Sequence, residues 1–216
     1  MSKTMSSERA KIGVLALQGD YEEHRRMLGG IGVSARLVKR AEDLPGLAGL
    51  ILPGGESTTM LKFILEESLV EPLKRFYQKG GVLYGTCAGA ILLARKVSSP
   101  EQPSLELLDV SIERNGYGRQ TESHVSSEPC PALGCEPMEM VFIRAPVIRA
   151  VGKGVEVLAH HQGTPVFVQQ GRILATTFHP ELASDSRIHQ YFVSRVVGAE
   201  GRGLLPVPAL SRSPSQ

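Results

Sequence analysis

Short apolar runs alternate with helix-spaced apolar positions along the first hundred residues. The run KIGVLAL at residues 11–17 ends in a QGD turn, after which apolar positions recur at helical spacing over residues 21–28. An alternating run at residues 34–39 predicts a second strand. Runs at residues 47–53 and 82–85 predict a third and a fourth strand, the third apolar enough to be buried on both faces. Repeated strand–helix units imply a mainly parallel sheet with helices on both faces.

Three more helices are predicted around the fourth strand. Ser57 or Thr58 is expected to cap the first, whose apolar positions fall on one face. The second has apolar positions from residue 69 to residue 77 and stops at a glycine pair. The third is predicted to begin over residues 90–96, directly after a cysteine.

The pattern changes after residue 100. Strand-like pieces broken by Gly and Pro follow one another, with little helix before DSRIHQYFVSRVV at residues 185–197. We therefore expect the second half to add antiparallel strands and a closing helix. Residues 11–199 are predicted to form one domain, and the ends, residues 1–10 and 200–216, are expected to be mobile because they are rich in small and polar residues or proline.

Composition narrows the class of protein. The chain has 24 basic and 22 acidic side chains, a net charge of +2 and no Lys/Arg-rich block, so nucleic acid is not an expected partner. The amino terminus lacks an apolar signal core and no run of about 18 apolar residues occurs, which predicts a cytoplasmic protein without membrane contact. Three cysteines in such a chain do not form a disulfide framework.

One cysteine lies in GTCAG, between a predicted strand and a predicted helix. Glycines two residues either side of a side chain at such a junction are typical of a nucleophile elbow, which exposes that side chain above the sheet. A helix amino terminus favours the thiolate of Cys87, and the backbone N–H of Ala88 could stabilise an oxyanion. The alternative is an inert, buried cysteine in a tight turn.

A base and its orienting carboxylate are available in FHPE. His179 and Glu181 are two residues apart, so an extended backbone would direct both side chains to one side of the chain. Both Cys87 and His179 follow predicted strands, and the carboxyl ends of parallel strands share one edge of a sheet, where ligands bind. The alternative is that a histidine before proline is only a turn residue.

The glycines of LPGGEST also follow a predicted strand. Gly54 and Gly55 allow backbone amides to approach a bound carbonyl closely, so this loop could supply a second oxyanion donor. The alternative is an ordinary glycine turn before a helix cap.

In this order, LPGGEST, GTCAG and FHPE resemble the motifs of the class I, triad-type glutamine amidotransferase family. The further pieces GVLALQGDYEEH, RNGYGRQ and FIRAP narrow the resemblance to one branch, the glutaminase subunits of pyridoxal 5'-phosphate synthase, from about residue 11 to residue 197. The resemblance implies a flavodoxin-like, three-layer αβα fold and hydrolysis of L-glutamine to L-glutamate and ammonia. It also implies no cofactor or metal in this chain, and a (β/α)8-barrel synthase subunit as the partner that receives ammonia.

The resemblance also implies roles for particular residues. Cys87 matches the nucleophile of the family. His179 matches the general base and acid, and Glu181 matches the carboxylate that orients it. The glutamine-binding positions, including the elbow amide, are Gly54, Gly55, Glu56, Ala88, Arg114, Ile143 and Arg144. Gln18 is a candidate for sensing the docked partner. The chain departs from the family pattern at Glu106, where glycine is expected, at Gly116, where alanine is expected, and at His124–Val125, where Phe-Glu is expected.

Several other residues are not assigned chemistry. Cys130 and Cys135 have a poor spacing for a zinc site, His24 and His189 are expected to pack, and one of His160–His161 is expected to be buried. Three alternatives remain: a glutaminase subunit of another amidotransferase, a glyoxalase- or chaperone-like stress protein with an elbow cysteine, and a catalytically silent interaction subunit. The stress protein should not need FHPE and LPGGEST together with the cysteine, and a silent subunit is expected to have lost a member of the triad, whereas Cys87, His179 and Glu181 are all present.

Overall fold

The structure, a computed structural model, describes residues 11–116 and 123–200, the last by its backbone alone. The helices are α1 (Tyr21–Gly30), α2 (Ser57–Glu66), α3 (Val70–Gln78), α4 (Ala88–Leu93) and α5 (Arg187–Glu200). The first six strands are β1 (Ile12–Leu15), β2 (Ala35–Val38), β3 (Gly49–Leu52), β4 (Val82–Thr86), β5 (Ala94–Ser98) and β6 (Leu108–Glu113). The last six are β7 (Ser123–Glu128), β8 (Met138–Ile143), β9 (Val147–Val151), β10 (Glu156–His161), β11 (Thr164–Gln170) and β12 (Ile173–Thr176).

Seven strands form the central sheet, in the order β10-β11-β12-β4-β3-β1-β2. Strands β1 to β4 and β12 pair in parallel, whereas β10 and β11 are joined to the β12 edge by antiparallel pairs. The predicted mainly parallel sheet with antiparallel additions is therefore confirmed. The carboxyl ends of β3, β4 and β12 are neighbours in the sheet. The motifs LPGGEST, GTCAG and FHPE lie at these three strand ends.

Alternating side chains of the buried strands fill two separate cores. Leu50 and Leu52 of β3 pack with residues of α2, α3 and α4, whereas Ile51 between them packs with residues of α1 and α5. Successive side chains of a strand point to opposite faces of its sheet, so a continuous apolar run serves both cores. The result is the three-layer αβα arrangement of a flavodoxin-like fold.

Two smaller sheets add to the two cores: β5, β6 and β9 contribute to the core that contains α2, α3 and α4, whereas β8 contributes to the core that contains α1 and α5. Strands β5, β6 and β9 form one sheet, and β7 and β8 form an antiparallel pair. The helix predicted over residues 90–96 ends at Leu93, and that part of the prediction is wrong. Ala94 and Val97 are buried while Arg95 and Lys96 are exposed, and the segment pairs in parallel with β6 instead of continuing the helix.

The predicted cap of α2 is also wrong. Glu56, rather than Ser57 or Thr58, is the capping residue, and its carboxylate accepts hydrogen bonds from the backbone N–H groups of Thr58 (3.0 Å) and Thr59 (2.6 Å). This places a carboxylate of the LPGGEST motif on the helix amino terminus, where the helix dipole favours negative charge.

The departures from the family pattern have local structural accounts. Glu106 has a φ of 57°, a conformation in which the expected glycine would be unstrained. A Cβ atom at Gly116 would lie 2.5 Å from Cγ2 of Val147, so the larger residue would not fit beside this valine. His124 stacks on the ring of Phe142, with 4.7 Å between centroids, and contributes to packing between β7 and β8.

The segments predicted to be mobile, residues 1–10 and 200–216, lie outside the described residues except for the backbone of residue 200, which ends α5. In the described part of the chain, no helix combines the length and apolar character needed to cross a membrane.

Candidate active site

Cys87 lies at a strained junction between β4 and α4. Its φ of 45° and ψ of −100° place a residue with a Cβ atom in the left-handed half of the φ range, as expected of a nucleophile elbow. The glycines on either side make the turn possible. A Cβ at Gly85 would lie 2.6 Å from the backbone of Gly89, and one at Gly89 would lie 2.0 Å from the carbonyl oxygen of Leu52.

Hydrogen bonds from neighbouring strands hold this elbow in place. The N–H of Cys87 donates to the carbonyl of Thr176 (2.9 Å), and that of Gly89 donates to the carbonyl of Pro53 (3.2 Å). The N–H of Ala88 lies between them in the first turn of α4, where no helical carbonyl precedes it. This amide is therefore placed as the elbow predicts for an oxyanion donor.

His179 and Glu181 form a buried hydrogen-bonded pair. Nδ1 of the imidazole lies 2.8 Å from Oε1 of the carboxylate, and both residues are at most 3% exposed. The contact is the predicted one, but its cause differs from the prediction. The chain at Pro180–Leu182 forms a 3-10 turn instead of an extended strand, and this turn folds the carboxylate back onto the ring.

One cavity of about 360 Å³ brings the motifs together. Of the predicted site residues, those in its wall are Gly55, Glu56, Cys87, Arg114, Ile143, Arg144 and His179. Glu181 lies behind His179, and Gly54 packs against the same ring. A larger cavity of about 580 Å³ lies at the amino ends of β3 and β4 and includes none of these residues. The smaller cavity is therefore the candidate active site.

The charges around His179 favour its protonated form. Burial alone would lower the pKa of His179, but the neighbouring Asp20, Cys87 and Glu181 outweigh burial and raise this pKa to about 12. Burial raises the pKa of Glu181, and the hydrogen bond from His179 opposes that rise. The other ring nitrogen of His179, Nε2, is buried and meets full hydrogen-bond geometry with no described atom.

The glycine-rich loop is held against the QGD turn that follows β1. The backbone N–H of Asp20 donates to the carbonyl of Gly54 (3.1 Å), and the side-chain oxygen of Gln18 accepts from the backbone N–H of Glu56 (3.0 Å). Gly55 has a φ of 146°, which favours glycine. Gln18 thus fixes the loop from within this chain, and its predicted role as a sensor of the partner stays a prediction.

Arg114 is connected to the same loop. Its Nη2 atom donates to Oγ1 of Thr58 (2.8 Å) and lies 3.3 Å from Oε1 of Glu56. Burial tends to raise the pKa of Glu56, but hydrogen bonds from Thr59 and Thr58 lower it to about 2. Across the cavity, Arg144 has a φ of 43°, a second strained position at the site.

Sequence reasoning missed two acidic or imidazole groups near the pair. Oδ2 of Asp20 lies 3.4 Å from Nδ1 of His179, and Nε2 of His24 lies 3.4 Å from Oε2 of Glu181. Asp20 directly follows the first strand motif, so the strand-end rule that selected the other motifs could have found it. His24 was assigned to packing because it lies on the apolar face of α1.

A metal is not needed to explain the acidic cluster here. Asp20, His179 and Glu181 have potential ligand atoms within 4.8 Å of one another. The proton on Nδ1 of His179 already faces both carboxylates, at 2.8 and 3.4 Å, which accounts for the grouping.

Cys130 is buried, Cys135 is exposed, and both are free thiols.

The site combines an elbow cysteine, a buried histidine–carboxylate pair and a glycine-rich loop, all at the carboxyl edge of a parallel sheet. This combination is typical of the triad-type amidotransferases. Comparison with known proteins agrees with this class. The chain belongs to the SNO glutamine amidotransferase family, whose model matches residues 14–198.

Individual relatives extend the match over nearly the whole domain. The chain is 51% identical over 187 residues to the pyridoxal 5'-phosphate synthase subunit PdxT of Thermus thermophilus, covering 86% of this chain and 97% of that one. It is 48% identical over 191 residues to the PdxT subunit of Kosmotoga olearia, covering 88% and 100% respectively. A crystal structure described as a glutamine amidotransferase superposes with a TM-score of 0.82 at 47% identity, covering 86% of this chain and 98% of the other.

Proposed function

We propose that this protein hydrolyses L-glutamine to L-glutamate and ammonia as the glutaminase subunit of a pyridoxal 5'-phosphate synthase. The observation that carries the proposal is that the elbow residue Cys87 and His179, itself bonded to Glu181, line one cavity. The family and the PdxT relatives support the same reaction and the same assembly with a synthase partner.

The first half of the reaction forms a thioester. The thiolate of Cys87 attacks the side-chain carboxamide carbon of glutamine, and a C–S bond forms as the carbonyl oxygen becomes an oxyanion. The backbone N–H of Ala88 and an amide of the Gly54–Gly55 loop stabilise this oxyanion. Protonated His179 gives its proton to the departing nitrogen, the C–N bond breaks, and ammonia leaves.

The second half releases glutamate. His179, now neutral, takes a proton from a water molecule, and the resulting hydroxide attacks the thioester carbon. The C–S bond breaks, the electron pair returns to the sulfur of Cys87, and the thiolate and the imidazolium are restored. Glu181 stays ionised throughout and keeps Nδ1 of His179 protonated, so that Nε2 faces the reacting atoms.

The remaining cavity residues bind the amino-acid end of glutamine in this proposal. The guanidinium groups of Arg114 and Arg144 suit the α-carboxylate because a planar donor pair matches its two oxygens. The carboxylate of Glu56 suits the α-ammonium group. Ile143 provides an apolar wall for the methylene groups between the two ends.

Ammonia formed here would become protonated in bulk water and lose its nucleophilicity, which is a chemical reason to couple the site to a synthase. We propose a (β/α)8-barrel fold for that partner subunit, and a cytoplasmic location for the assembly.

Residues 11–199 form a single amidotransferase domain that requires neither cofactor nor metal, and nucleic acid and membrane are not among its partners.

Glutamine turnover measured with and without the purified synthase subunit tests the proposal. We expect copurification of the two subunits, ammonia release that rises when the synthase is added, and none above background from Cys87→Ala. A glutaminase subunit of another amidotransferase would act without affinity for this synthase. A stress protein or a silent subunit would release no ammonia from glutamine in either condition, and that outcome would refute the proposal.

A further inference from the structure

Three buried polar side chains lie directly behind the carboxylate of Glu181. Nδ1 of His24 lies 2.9 Å from Nε2 of His189, and Nε2 of His24 lies 3.1 Å from Oγ1 of Thr86. All three are fully buried and come from three different elements, α1, α5 and β4. The sequence predicts only packing for the two histidines, yet hydrogen bonding connects them and Thr86 into one group.

The two oxygens of Glu181 have different surroundings. Oε1 is hydrogen-bonded to Nδ1 of His179 at 2.8 Å, whereas Oε2 is buried and makes no hydrogen bond of full geometry with a described residue. Nε2 of His24 lies 3.4 Å from Oε2. An unsatisfied buried carboxylate oxygen is costly, so it matters whether this nitrogen carries a proton.

Both histidines of the group are neutral near pH 7. Burial, followed by the neighbouring His189 and His179, lowers the pKa of His24 well below its ordinary value. Burial likewise lowers the pKa of His189 to about 4. A neutral imidazole carries one N–H, so each ring has one donor and one acceptor nitrogen.

The contacts select one arrangement of these protons. Nδ1 of His189 is buried without a hydrogen-bond partner among the described residues, and an orphaned buried N–H group is rarer in folded proteins than an under-satisfied acceptor. His189 therefore carries its proton on Nε2 and donates it to Nδ1 of His24. His24 must then carry its own proton on Nε2, which faces Thr86 and Oε2 of Glu181. The opposite arrangement would set a bare nitrogen against a carboxylate oxygen.

We propose that His24 is a positioning residue for the glutaminase reaction: its Nε2–H donates to Oγ1 of Thr86 and lies close enough to Oε2 of Glu181, at 3.4 Å, to attract that oxygen, so that Oε1 stays directed at His179. His189 acts one step further away by fixing the proton of His24 on Nε2. Neither histidine touches the substrate cavity. The inference rests on the proposed function and adds to it a second pair of residues that keeps the carboxylate in place.

Two neutral, polar replacements of His24 separate positioning from packing. The amide nitrogen of His24→Gln can occupy the position of Nε2 and still donate toward Glu181, whereas His24→Asn reaches only the position of Nδ1 and keeps the contact with His189. Each variant therefore loses one of the two contacts. In the complex with the synthase, we expect kcat to fall about 10-fold or more for His24→Asn and within about threefold for His24→Gln, with KM changed less than about twofold in both.

Equal kcat values for the two variants, or an effect confined to KM, would overturn the inference. Should either variant fail to fold, nitrogen-15 NMR of the unaltered protein decides the question. We expect His24 to be neutral with its proton on Nε2 at pH 7, and a proton on Nδ1 would overturn the proposal. Cys87→Ser in the same assay keeps the two hypotheses apart, since turnover by Cys87→Ser would refute the proposed function itself and leave the proton position of His24 unaffected.

Discussion

Gly54 lies so close to the imidazole of His179 that a Cβ atom at residue 54 would be 2.4 Å from Cε1 and 2.7 Å from Nδ1 of the ring. Contacts of this length are shorter than van der Waals separation, so the ring would have to move. Gly54 is therefore required by the packing of His179, whereas its neighbour Gly55 is required by its positive φ.

Gly54→Ala should displace His179 and slow catalysis with little effect on the fold. A displacement of about 1 Å at a reacting group costs about 100-fold in rate, so we expect a loss of that size in kcat. Gly29→Ala is a suitable control because a Cβ there meets nothing within 4 Å on a helix. It should leave turnover unchanged and stabilise the protein by about 0.5–1 kcal/mol. Steady-state kinetics with normal activity in Gly54→Ala would contradict this account of the site.

The charge on His179 gives a prediction about pH. The pKa of His179 is raised from 6.5 to about 12 in the folded protein, so the folded state holds a proton that the unfolded chain releases. This group contributes stability that is fully present below about pH 6.5 and is lost as the pH rises toward 12. We expect nitrogen-15 NMR to show a doubly protonated ring for His179 at pH 8. A ring that titrates near pH 6.5 would contradict the raised pKa of His179.

Arg114 offers a test of substrate binding. Arg114→Lys keeps the charge but loses the planar donor pair, so we expect KM for glutamine to rise about 10-fold or more while kcat changes little. Arg95→Lys, in an exposed pair with Asp109 outside the cavity, is the matched control and should leave both constants unchanged. An unchanged KM in Arg114→Lys would remove the guanidinium from the proposed glutamine site.

The parts of the site that could be predicted from the sequence depend on local chemistry at the ends of strands. The glycines around Cys87 and the glycine pair at 54–55 indicate tight turns whatever the rest of the chain does. The rule that parallel strands end at one edge then brings distant motifs together. The glycine turns and the shared strand edge together predict where the cavity lies, whatever the loops between the strands do.

The wrong or missing predictions concern contacts between residues that are far apart in the chain, and one short segment whose local pattern fits a helix as well as a strand. Strands β5, β7 and β9 pair with partners that no local pattern identifies. The helix predicted over residues 90–96 includes the first three residues of β5, and these residues are good helix formers. His24 and His189 are 165 residues apart, and each alone has the pattern of a packing residue on a helix. Only their contact shows that they form a polar group behind Glu181.

Covalent labelling tests most directly whether Cys87 acts as a nucleophile toward glutamine in the cavity that it lines with His179. The complex would be treated with a chloroketone analogue of L-glutamine, with and without excess L-glutamine, and the modified residue located by mass spectrometry. Exposed Cys135 and buried Cys130 serve as internal controls within the same chain. We predict one label per chain on Cys87, slowed by glutamine. Labelling of Cys135 in preference to Cys87, or labelling that glutamine does not slow, would contradict the account.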